Sequence, residues 1–283
     1  MPKQLDASWK DWLQTNIDRK CDPEQLLTIL LRNDFDIAHI RECMGAHFPA
    51  QSPVAAVAAG KTPDDIDYAA MAKTRITRAD SGLPVMRFNT DRVQLYVYDD
   101  FMSAQECDAI AKIIDKNLRP STVTVPKEGD NYYRTSSTSD LSLLNDDTVK
   151  TLDEKIARAL GIQLAYSEGI QGQRYEVGQE FKQHTDFFAP HSQEFERFGG
   201  SRGQRTWTFM VYLNDVGSGG GTRVVKLDHT FMPRKGRALV WNNLHPDGSV
   251  NYDTTHAGLP IEKGHKTIIT KWFRARGKGP VFY

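Results

Sequence analysis

The stretch Arg174-Tyr-Glu-Val-Gly178-Gln-Glu-Phe-Lys-Gln-His184-Thr-Asp186 decides how this chain is read. It sets an aromatic residue and a glycine turn ahead of a histidine and a carboxylate two positions apart. On an extended segment, residues i and i+2 project from the same face, so His184 and Asp186 can approach one metal ion together. A third ligand has to come from elsewhere. His256, in Thr255-His256-Ala257-Gly258, is the candidate. The two histidines are far apart in sequence, so only a fold that brings distant strands face to face can unite them.

The surrounding sequence has the period of such a fold. Val93-Gln-Leu-Tyr-Val-Tyr98 alternates, with β-branched and aromatic residues. Further strands are predicted over 171–175, 181–186, 206–213, 237–241 and 266–273, and glycine-rich turns such as Gly217-Ser-Gly-Gly-Gly221 separate them. Many short strands with turn signals predict a sandwich or jelly roll. Helices interleave with them. Ser103 with Glu106 three positions on forms a capping box, and Ala109, Ile110, Ile113 and Ile114 line the face behind it. A second helix is predicted from about Asp146 to Leu160, ending at Gly161. Arg134-Thr-Ser-Ser-Thr-Ser139, after Tyr132-Tyr133, reads as extended.

Two imidazoles and one carboxylate on one side of a metal leave the opposite positions open, which suits a non-haem Fe(II) oxygenase. His245-Pro-Asp247 repeats the spacing, but it sits in a turn-rich segment with Asp-Gly and reads as structural or as a pocket rim. His191, His229 and His265 receive the same structural reading.

The front of the chain is helical. Leu5, Trp9, Trp12 and Leu13 make one apolar stripe. Asp22 reads as an N-cap with Pro23 at the first helical position, ahead of Leu26, Leu27, Ile29, Leu30 and Leu31. A short helix is predicted from Asp36 to Met44, stopped by Gly45. Val54 to Ala59 is a small apolar run, and Thr62-Pro63-Asp64-Asp65 resembles another helix start. Residues 1–85 are expected to form a helical region for scaffolding, dimerisation or substrate positioning, and residues 86–283 the catalytic domain.

Composition narrows the partners. The 283 residues carry 36 basic and 36 acidic side chains, so no net charge points to nucleic acid or an anionic membrane. Cys21, Cys43 and Cys107 are scattered and odd in number, which fits a reducing compartment. No signal peptide is read at the N-terminus, and no apolar run approaches the roughly 20 residues of a membrane span. The expected location is cytoplasmic, with a homodimer through the front helices as an open option.

Taken in order, these pieces resemble one family. Arg174 to Asp186 is followed by Arg205-Thr-Trp-Thr-Phe-Met-Val-Tyr-Leu-Asn-Asp215, Gly219-Gly-Gly-Thr222 and Pro233-Arg-Lys-Gly236-Arg-Ala-Leu-Val-Trp241. The run closes with His256-Ala-Gly258-Leu-Pro260-Ile-Glu-Lys-Gly264-His-Lys266-Thr-Ile-Ile-Thr-Lys271-Trp272-Phe-Arg274. Over about residues 93–274 the chain resembles the prolyl 4-hydroxylase branch of the Fe(II)/2-oxoglutarate dioxygenases. That resemblance implies an α+β protein with a double-stranded β-helix (jelly roll) core and flanking helices, preceded here by the small helical N-terminal domain. It implies His184, Asp186 and His256 as iron ligands and Lys266 as the partner of the distal carboxylate of 2-oxoglutarate. Tyr175 would hold the same cosubstrate, with Thr208 and Trp241 lining its pocket. Arg134 matches an arginine near the substrate, with a catalytic or binding role, beside Tyr132 or Tyr133. Dioxygen is the second cosubstrate and ascorbate a candidate reductant. The implied reaction is hydroxylation of a prolyl residue in a protein or peptide. A free amino acid or related metabolite is the alternative substrate, and a non-catalytic jelly-roll binding protein the remote one. The family commonly has Gly-Gly-Glu-Thr where this chain has Gly221 in place of the glutamate, which puts the exact substrate in question.

Overall fold

The computed structural model describes residues 4–21, 23–32, 35–49, 66–78, 81–121, 134–190, 192 and 194–283. Asp22, Val54 to Ala59, Thr62 to Asp65, Tyr132, Tyr133 and His191 lie outside the described residues. Chain contacts divide the protein into two compact units, residues 1–66 and 67–283.

In the first unit, helices α1 (Ala7–Asp18), α2 (Pro23–Arg32) and α3 (Ile37–Met44) bury Leu5, Leu13, Leu26, Leu27, Leu30, Phe35, Ile40 and Met44 in one core. Trp9 and Trp12 pack against it from the expected stripe. Asp6 and Asp36 each cap a helix by accepting a backbone N–H, and Gly45, at φ 52°, ends α3.

The second unit begins earlier than the expected boundary after residue 85. Short helix α4 (Tyr68–Ala72) follows directly. The buried Trp207 indole donates to the carbonyl of Met71, and Gln94 donates to that of Ala72. Such anchoring by single polar contacts carries no periodic signal, which is why the sequence placed the break too late.

The strands and helices then run β1 (Leu95–Tyr98), α5 (Ala104–Lys116), β2 (Arg119–Pro120), β3 (Ser137–Asp140), α6 (Asp147–Leu160), β4 (Gln171–Tyr175), β5 (Phe181–His184) and β6 (Arg205–Tyr212). After them come β7 (Ser218–Gly219), β8 (Thr222–Val224), β9 (His229–Phe231), β10 (Ala238–Asn242), β11 (His256–Gly258), β12 (Ile261–Lys263) and β13 (Lys266–Arg274). Seven strands form a sheet in the order β1-β10-β6-β13-β4-β3-β2, and four form another in the order β5-β11-β8-β9. Every pairing within these two sheets is antiparallel, and together they are the expected jelly roll. The short strands β7, β8, β9, β11 and β12 have too few residues to show a period.

Alternation sorts the side chains of the larger sheet into two faces. Leu95, Tyr175, Met210, Tyr212, Leu239, Trp241 and Ile268 share one core cluster with Val224 and Phe231 of the smaller sheet. Residues of the other parity meet the helices. Gly172 has no side chain because a Cβ there would stand 2.5 Å from Ile114 of α5. On β13 the same parity separates two buried lysines. Lys271 faces α6 and donates to Asp153 and to the carbonyl of Glu168, whereas Lys266 takes the opposite face. Helix α6 buries Val149, Leu152, Ile156 and Leu160 at helical spacing, each worth about 1.5–3 kcal/mol. Gly161 closes it in the left-handed conformation. The capping box of Ser103 and Glu106 is present on α5.

Candidate metal centre

Strand register brings the site together. His184 on β5 lies directly opposite His256 on β11, so both rings stand on one face of the smaller sheet. Their centroids are 4.2 Å apart. Asp186 follows just past the end of β5, which stops at His184 rather than at the expected residue 186. One ligand atom from each of the three residues lies within 4.8 Å of the others.

The donors are prepared for a cation. Nδ1 of His184 lies 2.7 Å from the carbonyl of Lys182, and Nδ1 of His256 lies 3.0 Å from that of Thr254. A carbonyl can only accept, so each Nδ1 carries the proton and each neutral ring keeps its Nε2 lone pair for a metal. Burial pushes His184 down to about 3, and the neighbouring His256 adds to this, although part of the His184 surface reaches solvent. Burial raises the Asp186 carboxyl, but His256, His184, Arg205 and the Thr208 hydroxyl outweigh it and hold the group below the usual range. One carboxylate and two neutral imidazoles fit a divalent iron with open positions.

A hydrogen-bonded chain supports Asp186. Thr208 donates to its Oδ2 at 2.7 Å, Asn243 donates to Thr208 at 2.9 Å, and Trp241 donates to Asn243 at 2.9 Å. Thr208 was expected to line a cosubstrate pocket, but its hydroxyl is committed to the carboxylate. Trp241 is opposite Thr208 across β10 and β6, and its ring meets that of His256 at 4.9 Å. Sequence reading missed Asn243, since one asparagine in a turn-rich run gives no signal of its own. It also missed Arg205, which donates to the carbonyl of Asp186 and forks onto Glu168 at 2.7 Å from both Nε and Nη2. Their separation in sequence hides that pair. Replacing Thr208 with valine is expected to weaken Fe(II) binding by about 10–100-fold, the usual cost of losing an outer partner of a metal ligand. Competitive metal titration of the folded variant checks it.

A second cross-strand pair lies in the larger sheet. Lys266 on β13 is opposite Tyr175 on β4, and its ammonium stands 4.6 Å above the tyrosine ring. Lys266 is 2% exposed and donates to the carbonyl of Gly220 at 2.9 Å. Burial pulls its ammonium down to about 8. The Tyr175 hydroxyl donates to Gln173 at 2.7 Å, and burial raises its pKa.

Arg134 is held by neutral groups. It donates to Ser136, Thr138 and Gln171 at 3.1 Å each and lies 5.0 Å above the Phe181 ring, which stacks on His184. His245-Pro-Asp247 forms a turn in which Asp247 accepts from Ser249, as expected of a structural segment. At Gly221 a Cβ would stand 2.4 Å from the Thr230 methyl of β9. The family's glutamate therefore has no room here. Gly221→Ala is expected to cost roughly 1–3 kcal/mol through overpacking, read as a lower thermal midpoint.

Comparison with known proteins agrees with this geometry. The family described as the 2OG-Fe(II) oxygenase superfamily matches residues 170–274. Prolyl 4-hydroxylase 5 of Arabidopsis thaliana is 32% identical over 199 residues, covering 62% of this chain and 67% of that protein. Prolyl 4-hydroxylase subunit alpha-1 of Gallus gallus is 29% identical over 192 residues, which is 66% of this chain and 37% of that protein. The chain thus spans little more than a third of the length of that subunit. Among solved structures, the viral collagen prolyl hydroxylase of Paramecium Bursaria Chlorella virus-1 in complex with 2OG matches with a TM-score of 0.49 and 25% identity. That match covers 64% of this chain and 96% of the other.

Proposed function

The chain belongs to the prolyl 4-hydroxylase family of 2OG-Fe(II) oxygenases, and on that premise we propose that it hydroxylates prolyl residues of a protein or peptide. One observation carries the reading. The cross-strand pair His184 and His256, with Asp186, stands in the same jelly roll as the buried lysine of the pair Lys266 and Tyr175.

In this reading His184, Asp186 and His256 hold Fe(II), and Lys266 binds the distal carboxylate of 2-oxoglutarate. Bound iron with 2-oxoglutarate and dioxygen supplies the oxidising power that no side chain has. The balanced change is C–H, dioxygen and 2-oxoglutarate to C–OH, succinate and carbon dioxide. The protein's own contribution is placement. Backbone carbonyls fix both imidazole tautomers, Thr208 fixes the carboxylate, and the ammonium of Lys266 offers its charge where water is excluded. Tyr175 packs beneath that ammonium.

A free amino acid is the second reading, and Arg134 favours it. A guanidinium held, among the described residues, by neutral groups near His184 can grip a substrate carboxylate. Residues 1–66 would position substrate or join two copies. No helix among the described residues is long and apolar enough to cross a membrane. Three free cysteines support a reducing compartment, the cytoplasm.

Mass spectrometry on iron-loaded protein with 2-oxoglutarate and oxygen tests this against prolyl peptides and free amino acids. Gain of one oxygen on a prolyl peptide is the expected outcome. Oxidation of a free amino acid with the peptides untouched moves the protein to the second reading. No succinate under any condition overturns both.

A further inference from the structure

A small void lies between the two sheets against the ring of His256, with room for about one water-sized molecule. Val93, Leu95, Val224, Leu239, Trp241 and His256 wall it, and Thr222 and Thr254 complete the lining. It is not the place of an acidic cosubstrate. Lys266 and Tyr175 do not line it, and they sit on β13 and β4, whereas the void lies toward the β1 and β10 edge.

The lining presents no polar surface, and the hydrogen bonds explain why. The polar side-chain atoms of the lining turn away from the void, and most have partners elsewhere. The Thr222 hydroxyl accepts from Tyr212, and the Thr254 hydroxyl donates to the carbonyl of Asn251. The Trp241 indole donates to Asn243, and Nδ1 of His256 donates to the carbonyl of Thr254. The remaining His256 nitrogen belongs to the cluster with His184 and Asp186. The apolar lining offers a water too few partners, since a buried water normally makes about three hydrogen bonds. A small apolar molecule loses nothing there, because it has no hydrogen bonds to give up.

We propose that this void is a residence site for dioxygen beside His256, an inference that rests on the oxygenase reading above. The site takes a small apolar diatomic from solvent and keeps it against the ring of a residue assigned to the metal.

Dioxygen is paramagnetic and speeds the relaxation of nearby methyl protons, so the gas itself is the probe. Metal-free protein under oxygen pressure should show faster relaxation at the methyls of Val93, Leu95, Val224 and Leu239 than at other buried residues. These are the methyls of Ala157 and Leu160 at 0% and Met44 at 2% exposed, and the ring protons of Phe48 at 8%, which with Ala157 brackets Val224 at 7%. Uniform relaxation across these protons overturns the proposal. Leu239→Phe fills the void, and Val224→Ile adds a single methyl in case the larger change prevents folding. Either folded variant should lose the excess relaxation at the remaining methyls. With iron bound, it should raise the KM for dioxygen several-fold while the KM for 2-oxoglutarate stays unchanged. A variant that loses the excess relaxation but keeps the wild-type KM for dioxygen also overturns it. The relaxation is read without iron or turnover, so it decides the void even where missing succinate has sunk the oxygenase reading.

Discussion

Asp186→Ala protein is expected to lose tight Fe(II) binding and all measurable hydroxylation while remaining folded. Asp186 is the only anionic member of the cluster, and it is 8% exposed. Without it, two neutral imidazoles face a doubly charged ion with no compensating charge in a place where water screens little. Alanine gives up the favourable interactions with His256, His184, Arg205 and Thr208 that outweigh the carboxylate's burial, so the variant should be less stable than the wild type yet still folded. Part of that cost is the Thr208 hydroxyl left without its acceptor, about 1–3 kcal/mol for a buried donor. Metal content after Fe(II) loading, thermal unfolding and succinate release together check the result. A folded variant that binds iron and turns over like the wild type would remove Asp186 from the metal set.

Lys266→Met is expected to raise the KM for 2-oxoglutarate by roughly 100- to 4,000-fold, the consequence of losing about 3–5 kcal/mol from a broken buried ion pair. The unliganded protein should become no less stable, since burial of the ammonium without an anion opposes its charge. Opposite signs on cosubstrate affinity and on stability distinguish this role from a merely structural lysine. The same group sets a pH dependence. Burial brings it down to about 8 in the folded protein, from the ordinary 10.5 of a lysine. Between those values the unfolded chain holds a proton that the folded protein has lost. Stability therefore rises with pH across that window, by roughly 3 kcal/mol in all. This contribution is complete above the unfolded value and is lost as pH falls through about 8. Binding of 2-oxoglutarate needs the protonated amine, so above pH 8 its affinity should weaken by up to about tenfold per unit. Isothermal titration at several pH values reads this directly. A pH-independent affinity across that range would exclude Lys266 as the carboxylate's partner.

Much of the centre was legible because its spacing is local or its residue types are rare. His184 and Asp186 share a strand parity, and the resemblance implied Lys266 as the partner of the cosubstrate's distal carboxylate. Long strands such as β6 and β13 declared themselves by composition, and the helix ends by Ser103, Asp146 and Gly161. The short strands β8, β9 and β11 did not, since two or three residues cannot establish a period. The commitment of Thr208 to Asp186 was likewise invisible, because a threonine reads the same whether it lines a pocket or braces a carboxylate.

By itself the sequence determined which residues could bind a metal, which longer runs would be strands and where the helices would stop. Those are properties of neighbours along the chain, governed by side-chain alternation and capping chemistry. Only the tertiary structure decided that His184 lies opposite His256 and Lys266 opposite Tyr175, because strand register is a relation between distant segments. It alone placed Asn243 and Arg205 behind the carboxylate and left a dry void against His256. Hydrogen-bond partners and empty space exist only once the sheets have closed on one another.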